Sequence, residues 1–172
     1  MTSADPKSDS PRALKCDLAA EVLGSSGTLR LRAAGRSMLP VVWPGDTLLI
    51  VPTAAGAVAE GDVVLFRRAH QFFAHRVMRA ENAGDSTILT RGDALPYPDP
   101  PVTAKDLLGK VSFIVRDGRL IEVGRNLSFP QRTVARVMRR SRIAARLVTG
   151  VHGMLRGSRH QNPLDRAVPC QS

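Results

Sequence analysis

Four side chains in this sequence are of the types that covalent hydrolysis uses: Ser37, His75, and the acids Asp93 and Asp99. A serine hydroxyl is a weak nucleophile until a neighbouring base takes its proton, and the attack needs N–H donors for the developing oxyanion. Ser37 stands in Gly35-Arg36-Ser37-Met38-Leu39-Pro40, a bend where a hydroxyl can project and the backbone N–H groups of Ser37 and Met38 can face a substrate carbonyl. His75 supplies the base. An imidazole, with an ordinary pKa of about 6.5, accepts a proton at neutral pH, whereas an ammonium must first be desolvated. Asp99 and Asp93 compete to orient that imidazole. Taken singly, each residue has a plainer explanation as a turn serine, a packed core histidine, a loop acid or a turn aspartate. His70 at a loop, and His152 and His160 near the C-terminus, keep the plain explanation.

Positioning these groups falls to a set of short elements. Leu14, Leu18 and Val22 recur every four residues and predict a helix from Pro11 to Leu23, stopped by Gly24 and lying over the core. Thr28 to Ala33 alternates apolar and basic residues, as a half-buried strand does, and delivers the chain to Ser37. Strand-length segments follow at Thr47 to Val51, Asp62 to Arg68, Gln71 to Arg79, Thr87 to Thr90 and Leu107 to Val115. Asp117-Gly118 predicts a hairpin that returns Arg119 to Val123 along the preceding strand. Alternation places Gln71, Phe73, His75 and Val77 on one face, so His75 is expected half-buried. Pro44-Gly45-Asp46, Glu60-Gly61-Asp62 and Arg91-Gly92-Asp93 form a small repeat, and tight turn chemistry accounts for Asp46 and Asp62.

Read in order, Ser37-Met38-Leu39-Pro40, Gly61-Asp62-Val63-Val64-Leu65-Phe66, His75-Arg76-Val77 and Thr90-Arg91-Gly92-Asp93 resemble the boxes of the signal peptidases, in the S24/S26 class of serine endopeptidases. The resemblance spans about residues 29 to 115. It implies a mostly β, LexA/signal-peptidase-like fold with an N-terminal helix and a basic helical C-terminal tail. Residues 1–24 would form an arm and helix, 25–124 the catalytic β-domain and 125–172 the arginine-rich tail. The residue before Arg-Val is the base in that family, a lysine in the usual bacterial type and a histidine in the endoplasmic-reticulum and archaeal type, which puts His75 in the role. The orienting acid of the histidine type falls on Asp99, six residues after Asp93. Substrate recognition would follow β-augmentation, an extended peptide pairing with Arg32, Ala33, Ala34 and Gly35 on one side and Gln71, Phe72, Phe73 and Ala74 on the other. Many relatives carry a serine two residues before the nucleophile, where this chain has Gly35. That leaves the oxyanion to the N–H groups of Ser37 and Met38.

Composition sets the outer limits. The chain has 172 residues, enough for one core; aromatics are 4%, and 14 Gly and 12 Pro punctuate a Val-, Leu- and Ala-rich sequence, which favours short strands. Cys16 and Cys170 belong to no metal-spaced cluster, so no zinc site is expected, and hydrolysis by a serine and a histidine needs no cofactor. No stretch reaches the roughly 18 uninterrupted apolar residues of a membrane span, and the polar N-terminus does not read as a signal peptide; a cytoplasmic protein, peripheral to a membrane at most, is expected. Nine of the 25 basic residues are arginines between Val123 and Leu164, a stretch without one acid, leaving 16 bases against 15 acids elsewhere. That basic tail fits an anionic membrane surface or a solvated face equally well; nucleic acid ranks third, since no aromatics interleave.

The leading expectation is thus a serine endopeptidase that cuts a leader or pro-segment after a small residue. A peptide-binding module of the same fold, without cleavage, is the alternative that Gly35 motivates. A self-cleaving repressor would need a lysine base and a DNA-binding domain for which the stretch before Ser37 has no room.

Overall fold

The computed structural model describes residues 11–81 and 87–140. The expectations for 141–172, including the continuation of the arginine-rich helix, His152, His160 and Cys170, lie outside the described residues. The order is α1 (Pro11–Ser26), β1 (Leu29–Arg32), β2 (Thr47–Val51), β3 (Val63–Arg68), β4 (Gln71–Glu81), β5 (Thr87–Arg91), β6 (Val102–Thr103), β7 (Leu107–Arg116), β8 (Arg119–Glu122) and α2 (Phe129–Arg140). The fold is mostly β. Eight antiparallel strands run in the order β1-β2-β7-β3-β4-β5-β6, with β8 paired to β7.

The centre of the sheet is β3, whose run Val63-Val64-Leu65-Phe66 is buried throughout. An unbroken apolar run of strand length suits burial on both faces. Val63 and Leu65 join Leu48, Ile50, Val111 and Ile114 in one core cluster, while Val64 and Phe66 join Val77, Ile88 and Val102 in a second. Burial of each such side chain contributes on the order of 1.5–3 kcal/mol.

Two of the three Gly-Asp repeats are the same device. Gly45 and Asp46 together oppose Ala33, and Gly61 and Asp62 together oppose Val77, through Ala33 N–H to Asp46 O (2.8 Å), Gly45 N–H to Ala33 O (2.7 Å), Val77 N–H to Asp62 O (2.8 Å) and Gly61 N–H to Val77 O (2.9 Å). Gly45 at φ 92° and Gly61 at φ 89° supply the left-handed residue that such a bulge needs. Each aspartate closes its own turn, Asp46 accepting from Trp43 N–H and Asp62 from Ala59 N–H. Each is then clamped by an arginine, Arg116 and Arg125 respectively. Gly92-Asp93 is different: it has no left-handed glycine and serves the site described below.

Three boundaries differ by more than one residue from the sequence reading, and β6 was not expected. Helix α1 runs to Ser26 and stops at Gly27 (φ 70°) rather than at Gly24, and it buries Ala19 and Leu23 while Leu14 and Leu18 stay exposed. Among the described side chains of the helix, the buried ones lie in its last turns, so the four-residue leucine spacing marks the wrong face. Strand β4 continues to Glu81 through a register shift between Val77 and Arg79. Helix α2 begins at Phe129, four residues before Thr133, because Gln131 Oε1 accepts the Ser128 N–H at 2.8 Å, one half of a capping box. It is also docked rather than trailing: Met138 packs with Leu39, Ala94 and Trp43 in a third cluster.

Candidate active site

His75 lies on β4 opposite Val64, its ring 5.9 Å from both the Phe66 and Phe73 ring centroids, and only 3% exposed. Alternation along the strand explains the placement, though burial goes further than the half-buried position expected. Ser37 follows β1 in a turn closed by Val41 and Val42 N–H bonds to Met38 O. That turn brings the Ser37 Oγ to 2.9 Å from His75 Nε2. On the other side of the ring, His75 Nδ1 is 2.6 Å from Asp99 Oδ2. The same carboxylate oxygen accepts the Thr90 hydroxyl at 2.7 Å, and Asp99 N–H donates to Thr90 O at 2.8 Å. Thr90 is fully buried on β5, so the loop from 92 to 101 is pinned back onto the strand that launches it. Arg68 holds its far end by donating to Pro100 O and Pro101 O.

Burial opposes the charge on Asp99, but the hydrogen bonds from His75 and Thr90, with the attraction of His75 when protonated and of Arg68, outweigh it and hold the carboxyl below its ordinary range. An ionised Asp99 is an acceptor only, so Nδ1 carries the proton and Nε2 offers its lone pair to the Ser37 hydroxyl.

The two competing acids are therefore separated by geometry. Asp93 does not touch His75; its two oxygens take Arg76 Nε–H and Nη2–H at 2.9 Å each, with both side chains buried. Its expected role as an orienter of the imidazole is corrected to that of a tie: Arg76 also donates to Gly61 O, Gly124 O and Arg125 O, and Ala94 N–H, next in the chain, donates to Ser37 O at 2.8 Å. Gly92 lies so close beneath the serine that an added Cβ would sit 2.6 Å from Ser37 O.

The eight residues expected along a peptide all line one cavity of about 430 Å³: Arg32, Ala33, Ala34 and Gly35 on one wall, Gln71, Phe72, Phe73 and Ala74 on the other. Ser37 and Met38 also line it, and Leu48 and Leu65 contribute apolar surface. Residues 71–75 of β4 pair with β3, and the β5 pairing begins only at Arg76; β1 pairs with β2 alone. Among the described residues, both walls thus present an unpaired strand edge. Ala33 directs its N–H and C=O to the β2 side, so those of Arg32 and Ala34 face the groove. Neither Ser37 N–H nor Met38 N–H has an acceptor among the described residues. Gly35 leaves open space: a Cβ there meets only Ser37 Oγ, at 3.9 Å.

Sequence reasoning missed Thr90, Arg76 and Arg139 as supports of the site. The first two sit inside the matched boxes: alternation along β5 turns Thr90 inward, whereas Arg76 follows His75 on β4 and is buried all the same, a position that alternation does not reveal. Nothing local distinguishes Arg139 from its neighbours. No group of His, Cys, Asp and Glu among the described residues could hold a metal ion, and no helix among them is long and apolar enough to cross a membrane. Neither the protein-family models nor the curated proteins include a match to this chain.

Proposed function

We propose that this chain is a serine endopeptidase of the signal-peptidase-like S24/S26 class, cutting an extended leader or pro-segment after a small residue. The observation that carries the reading is the continuous line of hydrogen bonds from Ser37 Oγ through both nitrogens of His75 to Asp99. Neutral His75 takes the hydroxyl proton at Nε2 as Ser37 Oγ attacks the scissile carbonyl, and Asp99 stabilises the imidazolium that results. The imidazolium then protonates the leaving amine, giving an acyl-enzyme. Water, activated by the same nitrogen, releases the acid and restores the serine. The unengaged N–H groups of Ser37 and Met38 are the donors for the oxyanion. The groove admits the substrate as an added strand, and its apolar walls, with Ala33, Ala34 and Ala74 among them, suit small side chains beside the cut.

In this reading the enzyme works in the cytoplasm, peripheral to an anionic membrane. Support comes from the outer face of α2, where Phe129 and Val137 are 85% and 55% exposed beside exposed Arg132, Arg136 and Arg140. A second reading, a peptide-binding module that does not cut, draws on Gly35, which offers no hydroxyl to the oxyanion. Comparison of new protein N-termini in cells carrying wild type or Ser37→Ala separates the two. Cleavages that vanish in the variant identify enzyme and substrate together, and identical profiles favour the module.

A further inference from the structure

Two peptide groups lie in series between an arginine and the oxyanion site. Arg139 Nε–H on α2 donates to Asp93 O at 2.8 Å. The N–H of that same peptide unit belongs to Ala94, and it donates to Ser37 O at 2.8 Å. The N–H of the Ser37 unit belongs in turn to Met38. A peptide unit is planar with its C=O and N–H pointing opposite ways, so a bond that fixes one end aims the other. A cation at the head of such a chain also polarises each unit, which strengthens the last donor.

We propose that Arg139 acts as a positioning residue through this relay, aiming and polarising the Met38 N–H toward the oxyanion of the acylation step. The packing agrees with the bonds. Met138, the residue before Arg139, joins Leu39 and Ala94 in one cluster, so α2 grips the relay at the chain positions following Met38 and Asp93. The Asp93 side chain is anchored separately by Arg76, which leaves the Asp93 carbonyl to Arg139. A stronger backbone donor is what a site with Gly35 in place of a hydroxyl requires. Helix α2 is then part of the catalytic apparatus, and the basic tail begins inside the enzyme.

The inference rests on the peptidase reading, and the experiment keeps the two apart. The full chain is treated with a fluorophosphonate that labels active-site serines, in wild type, Ser37→Ala, Arg139→Gln, Arg139→Met and, as a control at an exposed arginine of β8, Arg119→Gln. Arg139→Gln keeps a donor without the charge; Arg139→Met loses both. The expected labelling rate falls about threefold for the first and about tenfold or more for the second, with saturation by the probe and melting temperature unchanged and Arg119→Gln like wild type. The Met38 amide proton, followed by NMR, moves upfield in the order of those losses. Equal labelling rates across the folded variants overturn the relay while leaving the peptidase intact. Wild type that never labels at Ser37 overturns the peptidase reading instead, and the Met38 shift then decides the relay alone: a shift unchanged in Arg139→Met overturns it.

Discussion

Asp93 and Arg76 form a bidentate ion pair, each bond 2.9 Å, with the guanidinium 7% and the carboxylate 3% exposed by residue. The pair ties the residue after His75 to the loop beneath Ser37. Because the groups proposed to exchange a proton stand on different elements, His75 on β4 and Ser37 after β1, their separation depends on such a tie.

Exchange of each acid for its amide separates the two roles. Asp99→Asn is expected to stay folded, losing only the stability its ionised carboxylate contributes, and to lose about 10³- to 10⁴-fold in turnover, because an amide cannot hold the imidazole in the right tautomer. Asp93→Asn is expected to cost about 3–5 kcal/mol of stability by stranding a buried guanidinium. Denaturant melts and acylation rates on both variants check the assignment; a stable, inactive Asp93→Asn would reverse it.

Acid should unfold the protein through particular carboxylates. In Asp62 and Asp99 burial favours the neutral acid, but hydrogen bonds and nearby cations outweigh it and hold both folded values below the ordinary 3.8. A depressed folded value contributes stability that is present above 3.8 and disappears as the pH falls through the lower folded values. Urea midpoints measured from neutral pH downward are expected to hold steady and then drop below about pH 4, with a shallower drop in Asp62→Asn and in Asp99→Asn.

Gly35 can be given a hydroxyl. Its Cβ position is open, with Ser37 Oγ the only atom within 4 Å, and no left-handed backbone opposes a side chain. Gly35→Ser is expected to raise the acylation rate about tenfold by adding an oxyanion donor, with no loss of stability. A fall in rate with the fold intact would mean that the oxyanion forms elsewhere.

Gly92 admits no such addition. A methyl group there meets the Ser37 carbonyl at 2.6 Å and Leu95 at 3.0 Å. Gly92→Ala is expected to cost about 1–3 kcal/mol and to depress turnover by displacing the serine. Its crystal structure or His75 NMR signals would show the displaced hydrogen bond.

The β3–β4 hairpin turns on Ala69 and His70, both in the left-handed region at φ 47° and 59°, without the Asn-Gly pair that suits this geometry. Ala69→Asn with His70→Gly is expected to stabilise the fold by about 1–2 kcal/mol. An unchanged urea midpoint would show that the loop holds no strain.

The strands were legible because β3 is unbrokenly apolar, β1 and β4 alternate, and Asp117-Gly118 announces its hairpin. Ser37, His75 and Asp99 were legible because hydrolytic chemistry restricts residue type and their boxes keep order. The choice of Asp99 over Asp93 was not, since both acids flank the same loop and only the fold reveals that Arg76 occupies one of them. The buried face of α1 was misread for a related reason: leucine spacing reports which residues could face a core, not which turns of the helix reach it. Arg139 was invisible among nine arginines of identical local character.

The unpaired edge of β1 beside the groove carries one more implication. An open strand edge invites a second copy of the chain to pair with it, which is how sheets grow into aggregates. Arg30, Arg32 and Arg36 are exposed along this short stretch and form no ion pair among the described residues. Two such edges brought together would set cation against cation, so the arginines oppose pairing with a self-copy at the slot proposed for a substrate strand.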